Sequence, residues 1–183
     1  MKSLTFITGN VKKAEQLSEY LDFAVEHTQL DIPEIQSLDV QAVAADKAKA
    51  AYVILGTPVL VEDTALTFTA LNGLPGTLVK WFFEAIGNEG LCKMLLGYEN
   101  RAATAETCFA LCDENGVHLF VGTCQGNVPH SPRGETDFGW NPVFIPETAE
   151  LTWAEMDAEQ LSATSMRRRA VEKLQVFLEE NYQ

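Results

Sequence analysis

The sequence predicts an α/β fold, a mixed sheet with helices packed on it. Three observations carry that expectation. "SLTFIT" reads as a strand that stops at Thr8-Gly9-Asn10 and runs straight into helical spacing, with Val11, Ala14, Leu17 and Leu21 recurring. "AETCFALCDENGVHLFVGTCQGNV" reads as two strands around a Glu-Asn-Gly turn, a strong hairpin signal. The C-terminal stretch from roughly 163 to 181 places Arg167, Val171, Leu174 and Leu178 on one helical stripe.

The elements follow in order. Asn10 is placed to cap the first helix. Residues 41 to 55 read as a second helix, with Ala44, Ala48, Ala51 and Leu55 on one side. "TPVLVEDTALTFTAL" is a buried strand expected to break at Glu62-Asp63 and resume. "NGLPG" is a turn. "TLVKWFFEAI" and "NEGLCKMLLGY" read as two helices, the latter capped by Asn88. After the hairpin, "TDFGWNP" is poor strand material, and Asn141 is held out of helical geometry by Pro142, so the segment reads as a shaped loop.

Bulk properties exclude several classes. The length of 183 residues suits one domain with room for a core. No apolar run approaches a membrane span, and the N-terminus reads as a strand and not a signal peptide. The net charge of −13 argues against a nucleic-acid polymer as partner, because that affinity rests on neutralising phosphates. A small phosphorylated ligand remains open if the few cations converge. Cys92, Cys108, Cys112 and Cys124 form no CxxC pair and read as buried reduced thiols of a cytoplasmic protein. The histidines show no ligand spacing, and His118 reads as structural.

Four stretches could carry chemistry. "TGNVKKAE" joins a strand end to a helix N-terminus, whose free N–H groups and dipole favour phosphate; a capped helix with solvated lysines is the plainer alternative. Glu62 and Asp63 follow an apolar run, where adjacent carboxylates repel and resist desolvation. Mg²⁺ would resolve that, with Glu34 as a third carboxylate; solvated turn residues are the alternative. Arg167 lies on the inward stripe, while Arg168 and Arg169 rotate away by about 100° each. Its acceptor is either phosphate or a buried carboxylate. The aromatic pair Phe138 and Trp140 suits a flat stacking ring, or else a hydrophobic corner.

In combination, "TGNVKK", "VLVEDTAL", "GLPGTLVKWF" and "PRGETDFGWNP" resemble the inosine triphosphate pyrophosphatase (Ham1/RdgB-like) family, in order from residue 4 to about 178. The resemblance implies a single ITPase-like domain over residues 1–183, with a long mixed sheet and two lobes around a central cleft. It implies Mg²⁺-dependent hydrolysis of non-standard purine nucleoside triphosphates such as ITP, dITP and XTP to the monophosphate and pyrophosphate, usually by a homodimer. It implies phosphate contacts from Thr8, Asn10, Lys13, Lys47 and Lys80, and metal or catalytic roles for Glu34, Glu62 and Asp63. It gives base stacking to Phe138 and Trp140, and nucleotide binding to Arg167.

This chain departs from the family pattern at three places, all in the implied base pocket. Asn141 replaces an aspartate, Leu161 stands where the family carries a lysine, and Met166 replaces the histidine of a Ser-His-Arg run. An ionised carboxylate only accepts hydrogen bonds, whereas an amide also donates. Retained phosphate and metal residues with an altered pocket imply retained hydrolysis with relaxed or shifted base preference. Two other readings stay open: a nucleotide-binding regulator without turnover, and a pyrophosphatase for modified pyrimidine nucleotides.

Overall fold

The computed structural model describes residues 4–21, 23, 25–136 and 139–182. The chain runs β1 (Leu4–Ile7), α1 (Val11–Tyr20), β2 (Val25–Thr28), α2 (Val40–Leu55), β3 (Val59–Phe68), β4 (Pro75–Gly76) and α3 (Val79–Lys93). It continues with β5 (Ala102–Asp113), β6 (Gly116–Asn127), β7 (Ile145–Pro146), α4 (Ala158–Thr164) and α5 (Met166–Asn181). Short 3-10 turns lie at Thr69–Leu71 and Asn141–Val143. The strands form one seven-stranded sheet in the order β2-β1-β3-β5-β6-β7, with β4 on β3. β1 pairs in parallel with β2 and β3, while β3–β4 and β6–β7 are antiparallel, so the sheet is mixed.

Two compact units share these strands: residues 1–64, 107–122 and 167–183 form the first, and 65–106 with 123–166 the second. The core of the first gathers Leu4 and Phe6 of β1, Leu17 of α1, Phe109 and Leu111 of β5, and Val171, Leu174 and Leu178 of α5. Both strand alternation and the helical stripe place these side chains inward. The core of the second gathers Leu66, Phe68, Leu91, Ala105, Val143, Phe144 and Trp153.

Several expectations change. β3 passes through Glu62-Asp63 without a break. The interruption was expected because two carboxylates would resist burial, but Glu62 has cationic partners that make an extended, buried backbone tolerable. The two helices expected on either side of Gly87 are present: α3 is two helical spans meeting at Gly87, whose φ of 64° and ψ of −175° no helix contains. The C-terminal helix starts at Met166; a separate α4 precedes it, capped by a reciprocal Asp157–Gln160 box and ended by extended Ser165. β2, β4 and β7 are strands too short or too exposed to show a period.

The four cysteines are buried. Among the described residues no helix is long and apolar enough to cross a membrane. His118 packs on Phe177 with ring centroids 4.6 Å apart.

Candidate active site

The first unit brings together most of the charged candidates. β1 ends at Ile7 and the backbone turns through Thr8, Gly9 and Asn10 into α1. Asn10 caps as expected: its side chain accepts the Lys13 N–H at 3.3 Å, and its own N–H donates to Thr8 Oγ1 at 3.1 Å. Thr8, Asn10 and the first turn of α1 therefore present a helix N-terminus, the kind of end that favours an anion.

Lys13 turns back from that terminus. Its Nζ lies 3.4 Å from Glu62 Oε1 on β3. Arg167, in the first turn of α5, grips the same carboxylate with both arms: Nε donates to Oε1 at 3.1 Å and Nη2 to Oε2 at 2.9 Å. Nη2 also donates to the Lys13 carbonyl at 2.7 Å. The inward direction of Arg167 agrees with its stripe, and the acceptor it meets is a buried carboxylate. The Glu62 side chain is 1% exposed. Burial pushes its carboxyl up, but Lys13 and Arg167 outweigh that and hold it below the ordinary glutamate range.

Asp63 points the other way along the strand, as alternation requires. It sits 3.8 Å from Lys47 of α2, and Lys47 also hydrogen-bonds Glu34. Asp63 Oδ1 accepts the Thr64 N–H at 2.9 Å. Burial raises its pKa above the ordinary aspartate value; Lys47 opposes that and Glu34 adds to it. Two neighbours in sequence thus have opposite acidities.

The three carboxylates expected to serve a metal, Glu34, Glu62 and Asp63, have different neighbours here. Both oxygens of Glu62 face cationic side chains. Glu34 and Asp63 share one ammonium between two carboxylates, and the Glu34 side chain is 49% exposed. That pair fits a hard divalent cation, which takes one or two carboxylates and fills its remaining positions with water or substrate oxygens. Among the described residues no group of three His, Cys, Asp or Glu side chains is arranged for a metal.

The second unit holds the other candidates. Lys80 is exposed on α3, 4.0 Å from Glu84 and 5.8 Å from the Trp81 ring centroid. Trp140 packs against Trp153 with centroids 5.7 Å apart and edge-on to Phe144 at 6.2 Å. Asn141 opens the 3-10 turn that follows. Phe138 lies outside the described residues. Met166 is buried in the same apolar cluster, and Leu161 and Met156 pack against it. The two positions where the resemblance implies a lysine and a histidine are thus filled by apolar packing. Sequence reasoning missed one contact: Asn88 Nδ2 donates to the Gly139 carbonyl at 3.2 Å. Its signal was an asparagine directly after a glycine at the start of the second helical run.

A helix N-terminus beside lysines and a raised-pKa carboxylate, carried on a mixed α/β sheet, defines the class of site that handles phosphate esters. The comparisons with known proteins narrow that class. The Ham1 family model matches residues 4–177, and the chain belongs to that family. An inosine triphosphate pyrophosphatase of Yarrowia lipolytica is 49% identical over 183 residues, covering 97% of this chain and 96% of that protein. Inosine triphosphate pyrophosphatase 2 of Trypanosoma cruzi is 46% identical over 172 residues, covering 92% and 88%. A HAM1 protein structure from Coxiella burnetii superposes with a TM-score of 0.88 at 27% identity, covering 98% of this chain and all of that one.

Proposed function

We propose that the chain is a nucleoside triphosphate pyrophosphohydrolase that cleaves non-standard purine triphosphates such as ITP, dITP or XTP to the monophosphate and pyrophosphate. The observation that carries this is the geometry of the adjacent carboxylates, Glu62 gripped by Arg167 and Lys13 and Asp63 beside Lys47 and Glu34, in a chain 49% identical to a named inosine triphosphate pyrophosphatase. Residues 1–183 work as one ITPase-like domain in this reading, and the compartment is the cytoplasm.

Asp63 is the general base. It takes a proton from a water as the water oxygen bonds to the α-phosphorus and the bond to the β-phosphate oxygen breaks; pyrophosphate leaves with that electron pair. Glu62 holds Arg167 and Lys13 in place. Thr8, Asn10, Lys13, Lys47 and Lys80 receive the phosphate charge. Glu34 and Asp63 would hold Mg²⁺, which supplies neutralisation of charge on the departing phosphates. Trp140 and Asn141 shape the seat of the base, with Phe138 as the stacking ring. Apolar Leu161 and Met166 select weakly among base edges, so preference is relaxed. Exposed Trp81, Ile86 and Leu96, at 64%, 45% and 83%, support a homodimer.

The test is pyrophosphate release with Mg²⁺ from a panel of non-standard purine, standard purine and pyrimidine triphosphates. Turnover is expected, with modest preference among purines. ITP or XTP rates far above every other substrate would defeat relaxed selection. Tight binding without turnover of any triphosphate would defeat the hydrolase reading.

A further inference from the structure

Asn88 follows the break in α3 at Gly87, the residue with non-helical φ/ψ there, and so opens the next helical turn. Its Oδ1 is buried without a hydrogen-bond partner among the described residues. Its Nδ2 instead reaches the Gly139 carbonyl at 3.2 Å. Both residues belong to the second unit, where α3 packs against the turn Asn141–Val143.

The carbonyl chosen matters. Gly139 has a φ of 51°, and glycine's wide conformational range leaves the peptide plane after it free to rotate. That plane joins Gly139 to Trp140. Fixing its oxygen fixes the Trp140 N–H and the direction in which the chain enters Trp140 and Asn141. The far end of the turn is pinned separately, by the Arg133 N–H donating to the Pro142 carbonyl at 3.0 Å. The Trp140 ring has its own contacts with Trp153 and Phe144, which restrain the side chain but not the peptide plane before it.

We infer that Asn88 is a positioning residue for base recognition: through the Gly139 carbonyl it sets the backbone that presents Trp140 and Asn141. This rests on the base-binding role given to those two residues. The hydrogen bond of the Asn88 side chain is the one to Gly139, made by its donor, while its buried Oδ1 is left unpaired among the described residues.

The experiment compares the full-length wild type with Asn88→Asp, Asn88→Ala and Trp140→Ala. ITP is the substrate, and inorganic tripolyphosphate, which has no base, is the competitive inhibitor. Aspartate caps a helix as well as asparagine does but cannot donate to a carbonyl when ionised. Both Asn88 variants are therefore expected to raise KM for ITP by about fivefold with kcat held, the range one neutral hydrogen bond supports. The inhibition constant of tripolyphosphate should not move. Hydrogen exchange should accelerate at residues 139–144 in both variants and stay unchanged in the first unit.

An Asn88→Asp enzyme matching wild type beside an impaired Asn88→Ala would show a capping role and overturn the inference. So would a weakening of tripolyphosphate inhibition equal to the loss for ITP. If Trp140→Ala raises KM while neither Asn88 variant does, the base reading stands and the Asn88 role falls. If Trp140→Ala also leaves KM unchanged, the base reading itself has failed and takes the inference with it. Unchanged exchange at 139–144 overturns the tether whatever the kinetics show.

Discussion

In the first unit the decisive side chains are charged and interlocked: Arg167 and Lys13 close on Glu62, and Lys47 sits between Glu34 and Asp63. In the second they are aromatic and apolar: Trp140, Phe144 and Trp153 stack within 6.2 Å of one another, backed by Met166 and Leu161. The two arrangements respond to different insults. The charged network answers to charge and pH, because removing Glu62 or Arg167 leaves the other buried without its counter-ion. The aromatic cluster answers to volume, because its atoms carry no charge to leave unpaired.

That contrast can be broken or sharpened by experiment, the largest effect first. Asp63→Asn is expected to slow turnover by about 10²–10⁴-fold, the usual loss of a general base. The raised pKa of Asp63 means that ionisation opposes folding, so stability falls as pH rises through that group's folded pKa. The same variant should therefore unfold at an equal or higher temperature at neutral pH. A slow and unstable Asp63→Asn would show that the residue holds the fold.

Glu62→Gln is expected to lose about 3–5 kcal/mol in denaturant unfolding, because Arg167 stays buried without its counter-ion. The lowered pKa of Glu62 places its contribution above the ordinary glutamate range, and it is lost as pH falls through the folded value. The Glu62→Gln penalty should accordingly shrink on acidification. Phe144→Ala in the second unit should lose about 3–5 kcal/mol as well, but by the same amount at every pH. Equal pH dependence of the two penalties would erase the distinction between the units.

A smaller effect concerns the cation. Protons compete with Mg²⁺ for Asp63, so the Mg²⁺ concentration giving half-maximal rate should rise as pH falls toward the raised pKa of that residue. A chelator should abolish turnover, and added Mg²⁺ should restore it. A Mg²⁺ requirement that ignores pH would place the ion on other groups.

Sequence reasoning reached the first unit more fully than the second, for physical reasons. The Asn10 cap and the inward face of Arg167 follow from local rules, a capping preference and a 3.6-residue period. The partner of Arg167 does not: Glu62 lies 105 residues away, and only tertiary pairing joins them. The same pairing removed the expected interruption of β3. The opposite acidities of Glu62 and Asp63 depend on which cation each one faces, and that is set by the fold. In the second unit the aromatic loop was legible as a shaped turn from Gly139 and Pro142. Its tether was not, since Asn88 reads locally as a helix cap and its donor is used elsewhere. β2 and β7 escaped because Val25–Thr28 is largely exposed and Ile145–Pro146 is a two-residue strand, too short for any period.

The most direct test of the account is hydrolysis of ITP in ¹⁸O-labelled water with Mg²⁺, by wild type and by Asp63→Asn. Attack on the α-phosphorus by a water held at Asp63 predicts label in the monophosphate and none in the pyrophosphate, formed at a rate that collapses in the variant. Label in pyrophosphate or orthophosphate, or an undiminished rate in folded Asp63→Asn, would contradict it.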